Sequence, residues 1–520
     1  MHRLAPGALH FTGDLWYQSP MLLVRLDGDG PLHRQTYRAL RDAILAGRLR
    51  PGERLASTRE LADALDVSRN TVLQAYDRLL SEGYAVARPA SGTYVADALP
   101  APKAARATSP RATERPRGVR TATDAKPPRL GAFGRRIAEH IRPEHATWSL
   151  RREPLPYDFR YGEPAYADLP LVAWARLLGR RARRLSVRRL AYQQPGGAVE
   201  LREALAGYLT RSRGVACAPE QILVVRGTQQ AVDLTIRMLV DPGQGVVVEE
   251  PRYTGFAFCA TAQGAELVHV PVDEHGLQVE RLDAVRDARL AFVTPSHQFP
   301  TGGVLPLARR LALLEWARAR DAWVFEDDYD GEFRFAGHPL EALQSLDRHG
   351  RVLYSGTASK VLFPALRIGW LVVPESLLET FRSALALSDT GTATIEQLAF
   401  ADLIREGHLE RHVRRMRAKL AARRAALLDA VERELGDRAE VLGESAGLHV
   451  LLRLRSTPAR DVPRLRSACR ERGVGVYPAA HFYATPPRHA ELLLGYGGLA
   501  ERAIRDGVRR LGEALDALRA

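Results

Sequence analysis

Apolar residues follow two different rhythms along the chain. From residue 221 onward, short and nearly unbroken apolar runs recur: QILVVRG, GVVVEEP, RLAFVTP, AWVFEDD, RVLYSG and RIGWLVVP. Several are separated by stretches with an apolar position every three or four residues, such as LARRLALLEWARAR. Buried strands alternating with amphipathic helices predict an α/β domain, a mainly parallel sheet covered by helices on both faces. A smaller α+β subdomain is expected at its end, from about residue 400 to 520.

Near the amino terminus the rhythm is that of short capped helices. In LASTRELADALDVSRNTVLQAYDRLLSEGYAVARPASGTYV, Ser57 followed by Glu60 signals a capping box that opens a helix with Leu61, Ala62 and Leu65 inward. DVS makes a turn. Ser68 caps a second helix that turns Val72, Tyr76, Leu79 and Leu80 inward and keeps Arg69, Asn70 and Thr71 in its polar first turn. Gly83 ends that helix, and YAVARPASGTYV reads as two strands around ASG, a wing. A helix-turn-helix puts such a first turn against base edges in the major groove, while Arg88 and Gly92 of the wing approach phosphates or the minor groove. A structural two-helix hairpin is the alternative, but four features in one window favour double-stranded DNA as partner.

Between these regions, residues 98 to 130 consist largely of Ala, Pro, Arg and Thr and offer little to bury. They read as a mobile basic linker, these about 33 residues spanning roughly 30–35 Å if flexible, and the linker is taken to end at about residue 145. Arg111, Arg115, Arg117 and Arg120 could touch phosphates from it. The expected domains are 20–97, 98–145 and 146–520.

Composition narrows the class. A net charge of +14 suits a polyanionic partner, and 46% hydrophobic with 26% charged residues suits globular material. Three scattered cysteines make neither a disulfide framework nor a zinc cluster. No apolar stretch approaches a membrane span, so a cytoplasmic location and no membrane contact are expected. His408 and His412 share a helix face, but no third ligand accompanies them, and the charges around them suggest exposure; no metal is expected.

Lysine is scarce: the chain has Lys103, Lys126, Lys360 and Lys419. Lys419 lies in the basic helix HVRRMRAKLAARRAALL and reads as a solvated face. Lys360 follows small residues in LYSGTASKVLFPALRIGW, and its amine can form a Schiff base with an aldehyde, which arginine cannot. Upstream, WVFEDDYDGEF delivers Asp327, Asp328 and Tyr329 past the carboxyl end of a strand, where ligands collect in such sheets. Pyridoxal phosphate needs an amine, a carboxylate for its pyridine nitrogen and donors for its phosphate. Lys360 and Asp327 supply the first two, and Tyr329 a hydroxyl for the phenolic oxygen. Arg367 and the amides of Gly227, Thr228 and Gln229 suit the phosphate, and Tyr253 the ring face. Each signal is weak alone; their convergence carries the reading.

STRELADAL, VSRNTV and SGTYV, in that order, resemble the winged helix-turn-helix of the GntR family over residues 31 to 95. The resemblance implies operator contacts by Arg59, Arg69, Asn70, Thr71 and Gly92, to which the capped turn and wing add Ser68 and Arg88. Residues 150 to 520 resemble fold-type I aminotransferases, and PSHQFPTG, EDDYDGEF and GTASK…LFPALRIGW are similar to the MocR branch of GntR regulators. This implies that Lys360 forms the internal aldimine, Asp327 meets the pyridine nitrogen, Tyr329 the O3′ and Tyr253 the ring. Thr357, Arg367 and the GTQ turn would hold the phosphate. Tyr192 would reach a neighbouring subunit's cofactor, which makes a homodimer.

The chain departs from working aminotransferases at two places. Phe299 stands where they usually carry asparagine, and Leu493 where an arginine grips the substrate carboxylate; Arg488 is a possible substitute. The expected function is therefore a cofactor-responsive transcription factor. Its small-molecule effector is pyridoxal phosphate itself, as in regulators of vitamin B6 synthesis, or an amino compound. A catalytically active aminotransferase with an appended DNA-binding domain is the alternative.

Overall fold

The computed structural model describes residues 25–97, 129–141, 155–335, 340–389 and 391–518. The chain divides into two units, 1–125 and 126–520.

In the first unit three helices, Leu32–Leu45, Thr58–Leu65 and Arg69–Ser81, precede an antiparallel hairpin of Ala85–Arg88 and Gly92–Val95. The capping box forms as its sequence requires: Glu60 N donates to Ser57 Oγ at 3.3 Å, and Ser57 N to Glu60 Oε2 at 2.8 Å. Asp66 then takes a left-handed conformation (φ 52°), which turns the chain into the next helix. Tyr37, Leu40, Leu61, Val72, Tyr76 and Leu79 form the core, with Leu65 and Leu80 at its margin.

The second unit is built on an eight-stranded sheet in the order Ile222–Val225, Gly369–Val372, Val352–Thr357, Trp323–Asp328, Ala288–Val293, Gly245–Glu250, Glu266–Asp273 and Gly276–Leu277. The five central strands, from Val352–Thr357 to Glu266–Asp273, run parallel, and Gly369–Val372 is antiparallel to both of its neighbours. That reversal shapes the site. Val352–Thr357 runs into the short helix Ala358–Val361, a 3-10 turn follows at Pro364–Leu366, and the chain re-enters the sheet at Gly369. Lys360 and Arg367 thus share the loop at one strand's carboxyl end. A second, antiparallel sheet of four strands, in the order Ala439–Leu442, His449–Pro458, His489–Gly495 and Tyr477–Pro478, forms the expected α+β part with helices His408–Leu435, Val462–Glu471 and Glu501–Ala517.

One expectation is corrected. The basic stretch does not run uninterrupted to residue 145, because Ala132–His140 is a helix. It lies against the helix Thr254–Gln263, where Arg136 donates to the carbonyls of Ala262 and Gln263, each at 2.8 Å. Those carbonyls lie at the negative end of a helix, where a guanidinium is favoured. Most of the linker, including Arg111, Arg115, Arg117 and Arg120, lies outside the described residues. Among the described residues no helix is long and apolar enough to cross a membrane.

Candidate functional site

Successive side chains of a strand point to opposite faces, and this separates two adjacent acids. Asp328 turns toward Arg213, accepting from Nε at 2.6 Å and Nη2 at 3.0 Å, and takes the Tyr354 hydroxyl at 2.7 Å. Asp327 is only 6% exposed, and its Oδ1 has no hydrogen-bond partner. Burial, reinforced by the nearby charge of Asp328, pushes its carboxyl up to about 8. Buried carboxylate oxygens are usually satisfied, so this one is left with capacity to accept a hydrogen bond.

Lys360 faces the same space. Its Nζ donates to the Gly162 carbonyl at 2.6 Å, and Gly162 holds a φ of 74° that favours glycine. Loss of hydration lowers the pKa of the amine, against the pull of Asp330, Asp327 and Glu163. A lowered pKa enlarges the fraction of neutral amine, the form that attacks a carbonyl.

A cradle for an anion lies beside it. Gly227, at φ 108°, precedes the helix Thr228–Leu239, whose first intrahelical bond runs from Gln230 N to Gly227 O at 3.1 Å. The amides of Thr228 and Gln229 precede that bond and are open to a ligand. Arg367 crosses above: a Cβ on Gly227 would lie 3.4 Å from its Nη2. Arg367 has a left-handed backbone (φ 53°), is exposed and pairs with no carboxylate among the described residues. Tyr253 stacks on Phe292 at 6.3 Å and donates to Gln229 Oε1 at 3.1 Å, so the Gln229 side chain braces the ring while its amide remains at the helix start.

Two expected contacts are spent within the chain. The Thr357 hydroxyl accepts from Ser359 N at 3.1 Å and caps the turn that carries Lys360. The Tyr329 hydroxyl lies 2.9 Å from His297 Nδ1 and donates to the His297 carbonyl at 3.1 Å. His297 in turn pairs with Asp330 at 3.0 Å, both residues being buried. Sequence reasoning missed His297 and Asp330 as braces of Tyr329, although both lie within PSHQFPTG and EDDYDGEF. Tyr192 is 93% exposed and is not brought to Lys360 within its own chain. Contrary to the expectation of exposure, His412 is buried, with Nε2 2.9 Å from the Val361 carbonyl. Lys419 is exposed and paired with Asp168.

In the first unit the second helix presents its start to solvent. Ser68 Oγ accepts from Thr71 N at 3.1 Å and lies 2.8 Å from Thr71 Oγ1, while Arg59, Arg69 and Asn70 are exposed. Arg88 is also exposed but engaged, 3.2 Å from Asp97 and stacked 4.4 Å over Tyr94. Gly92 has φ 117°, and a Cβ there would come within 3.2 Å of Arg54 Nε. Arg54 is therefore a wing cation that the motif did not single out.

Residues 32–95 match the gntR family of bacterial regulatory proteins, and residues 158–491 match aminotransferase class I and II. Over 96% of both chains, 40% of residues are identical to the probable rhizopine catabolism regulatory protein MocR of Rhizobium meliloti. The chain belongs to the MocR-type GntR regulators. It is also 30% identical, over 92% of its length and 94% of the relative's, to the pyridoxine biosynthesis transcriptional regulator PdxR of Corynebacterium glutamicum. Among solved structures it is similar to LysN, the α-aminoadipate aminotransferase of Thermus thermophilus complexed with N-(5′-phosphopyridoxyl)-L-leucine. The TM-score is 0.67 at 29% identity, covering 75% of this chain and 97% of that one. The aminotransferase class I and II fold binds pyridoxal phosphate, and the gntR domain binds DNA. This regulator joins the two.

Proposed function

We propose that this regulator holds pyridoxal phosphate at Lys360 and that occupancy of the site changes its grip on operator DNA. The observation that carries the reading is the buried, partnerless Oδ1 of Asp327 in the same space as the Lys360 amine. When bound, the group supplies an aldehyde for an amine and a ring that withdraws electrons when its nitrogen is protonated. The chain's own residues suit it. Lys360 would hold it covalently, Asp327 would stabilise the protonated nitrogen and Tyr253 would flank the ring. Arg367 with the Thr228 and Gln229 amides would take the phosphate, and Thr357 would fix the turn that presents Lys360. Tyr329 would reach the phenolic oxygen only by giving up its bond to the His297 carbonyl.

Regulation follows if the two arrangements of the protein differ in affinity for the cofactor or for an amino compound at that site. On this reading Arg59, the Ser68–Thr71 turn and the wing at Arg88 and Gly92 grip the operator, and the regulator works in the cytoplasm. The exposure of Val187, Leu190 and Tyr192, at 84%, 69% and 93%, supports a homodimer in which a second copy covers this segment. Transamination is disfavoured, because Phe299 and Leu493 are buried in one apolar cluster where a substrate carboxylate needs a cation.

Operator binding followed by fluorescence anisotropy tests this. Pyridoxal phosphate should change the affinity of the native chain and leave Lys360→Ala unmoved. An equal response from both would refute it, and repeated turnover with amino donors and a keto acid would establish the enzyme instead.

A further inference from the structure

The wall around Lys360 shows what kind of ligand can join the cofactor there. Tyr161 precedes the glycine whose carbonyl holds Lys360 Nζ. Its ring packs edge-on to Phe482 at 5.9 Å and lies 6.2 Å from Phe299. Phe299 is edge-on to Tyr253 at 6.1 Å and to Tyr329 at 6.0 Å. Leu493, fully buried, closes the same cluster. The two positions that depart from aminotransferases are therefore packed into one hydrocarbon surface beside the reactive amine.

Three arginines around this wall are already paired. Arg252 is committed to Glu250 at 2.9 Å, Arg160 to Glu163 at 2.8 Å and Arg453 to Glu491 at 2.8 Å. Asp330, Asp327 and Glu163 pull toward positive charge at Lys360, but burial outweighs them and keeps the amine's pKa lowered. A carboxylate brought here would lose its hydration and gain no ion pair from these three arginines. A primary amine with a hydrocarbon body brings no such carboxylate, its neutral form is the one favoured by burial, and its body suits the rings.

We infer that Phe299 and Leu493 select the ligand admitted beside Lys360: a primary amine with a hydrocarbon body and no carboxylate on the amine-bearing carbon. This rests on the cofactor reading above. The test uses the full chain loaded with pyridoxal phosphate, titrated with phenethylamine and separately with L-phenylalanine, which differ by that one carboxylate. Calorimetry and the visible spectrum are read together, then operator affinity. Phenethylamine should bind at least ten-fold more tightly and alone shift operator affinity at equal concentration. Equal or tighter binding of phenylalanine, or no binding of either at millimolar concentration, would overturn the inference. Phe299→Asn with Leu493→Arg should narrow the gap; if that variant loses its visible band, the native pair of titrations decides. A native chain that develops no band on loading would show instead that the cofactor reading had failed, and the inference with it.

Discussion

Asp327 and Asp328 are neighbours in sequence and opposites in environment. Asp328 is neutralised by Arg213, whereas Asp327 is buried with a free oxygen and its carboxyl is pushed up to about 8. This has a measurable cost when the site is empty. Below about pH 4 the acid is protonated whether the chain is folded or not. As pH rises the unfolded chain ionises first, so native stability falls between about pH 4 and 8 and then levels off. Asp327→Asn should therefore melt like the native chain near pH 4 and be more stable at pH 7, by on the order of 4 kcal/mol if this residue acts alone. The same variant should hold pyridoxal phosphate less well, because the neutral amide cannot stabilise a protonated ring nitrogen. Melting curves across this pH range, with and without the cofactor, check both; equal pH dependence in the two proteins would contradict the assignment.

At the scale of elements, what is legible in the sequence is what rests on local signals. Ser57 with Glu60 and Ser68 with Thr71 cap their helices through neighbours three residues away, so the residues alone mark them. The apolar runs that become central strands are equally local, and Lys360 stands out because lysine is rare here. The lost features depend on distant partners. Ala132–His140 follows a basic, proline-rich stretch, and its docking comes from carbonyls more than a hundred residues later. His412 sits among arginines, yet its burial is set by the Val361 carbonyl. The bracing of Tyr329 joins His297 to Asp330 across two strand ends, which no spacing rule reveals. Arg136→Ala should release the helix Ala132–His140 while leaving the sheet intact. Hydrogen exchange should then quicken in residues 132–140 and stay unchanged in the strand Trp323–Asp328; unchanged exchange in that helix would show that Arg136 does not hold it.

For the whole molecule, two chemistries are joined in one chain, a polyanion-binding unit and a cofactor-binding unit. Phosphate contacts release counterions, so operator affinity should fall by at least about 100-fold between about 50 and 200 mM salt. Arg69→Ala should weaken operator binding and leave any visible band of the loaded protein unchanged; a flat salt response, or loss of both properties, would contradict the division of labour. The most direct measurement is chemical. Purified protein is loaded with pyridoxal phosphate, reduced with borohydride, digested and analysed by mass spectrometry. The phosphopyridoxyl mass should appear on the peptide carrying Lys360, and not at that site in Lys360→Ala. Label confined to Lys419 or other lysines, with Lys360 unmodified, would contradict the Lys360 assignment.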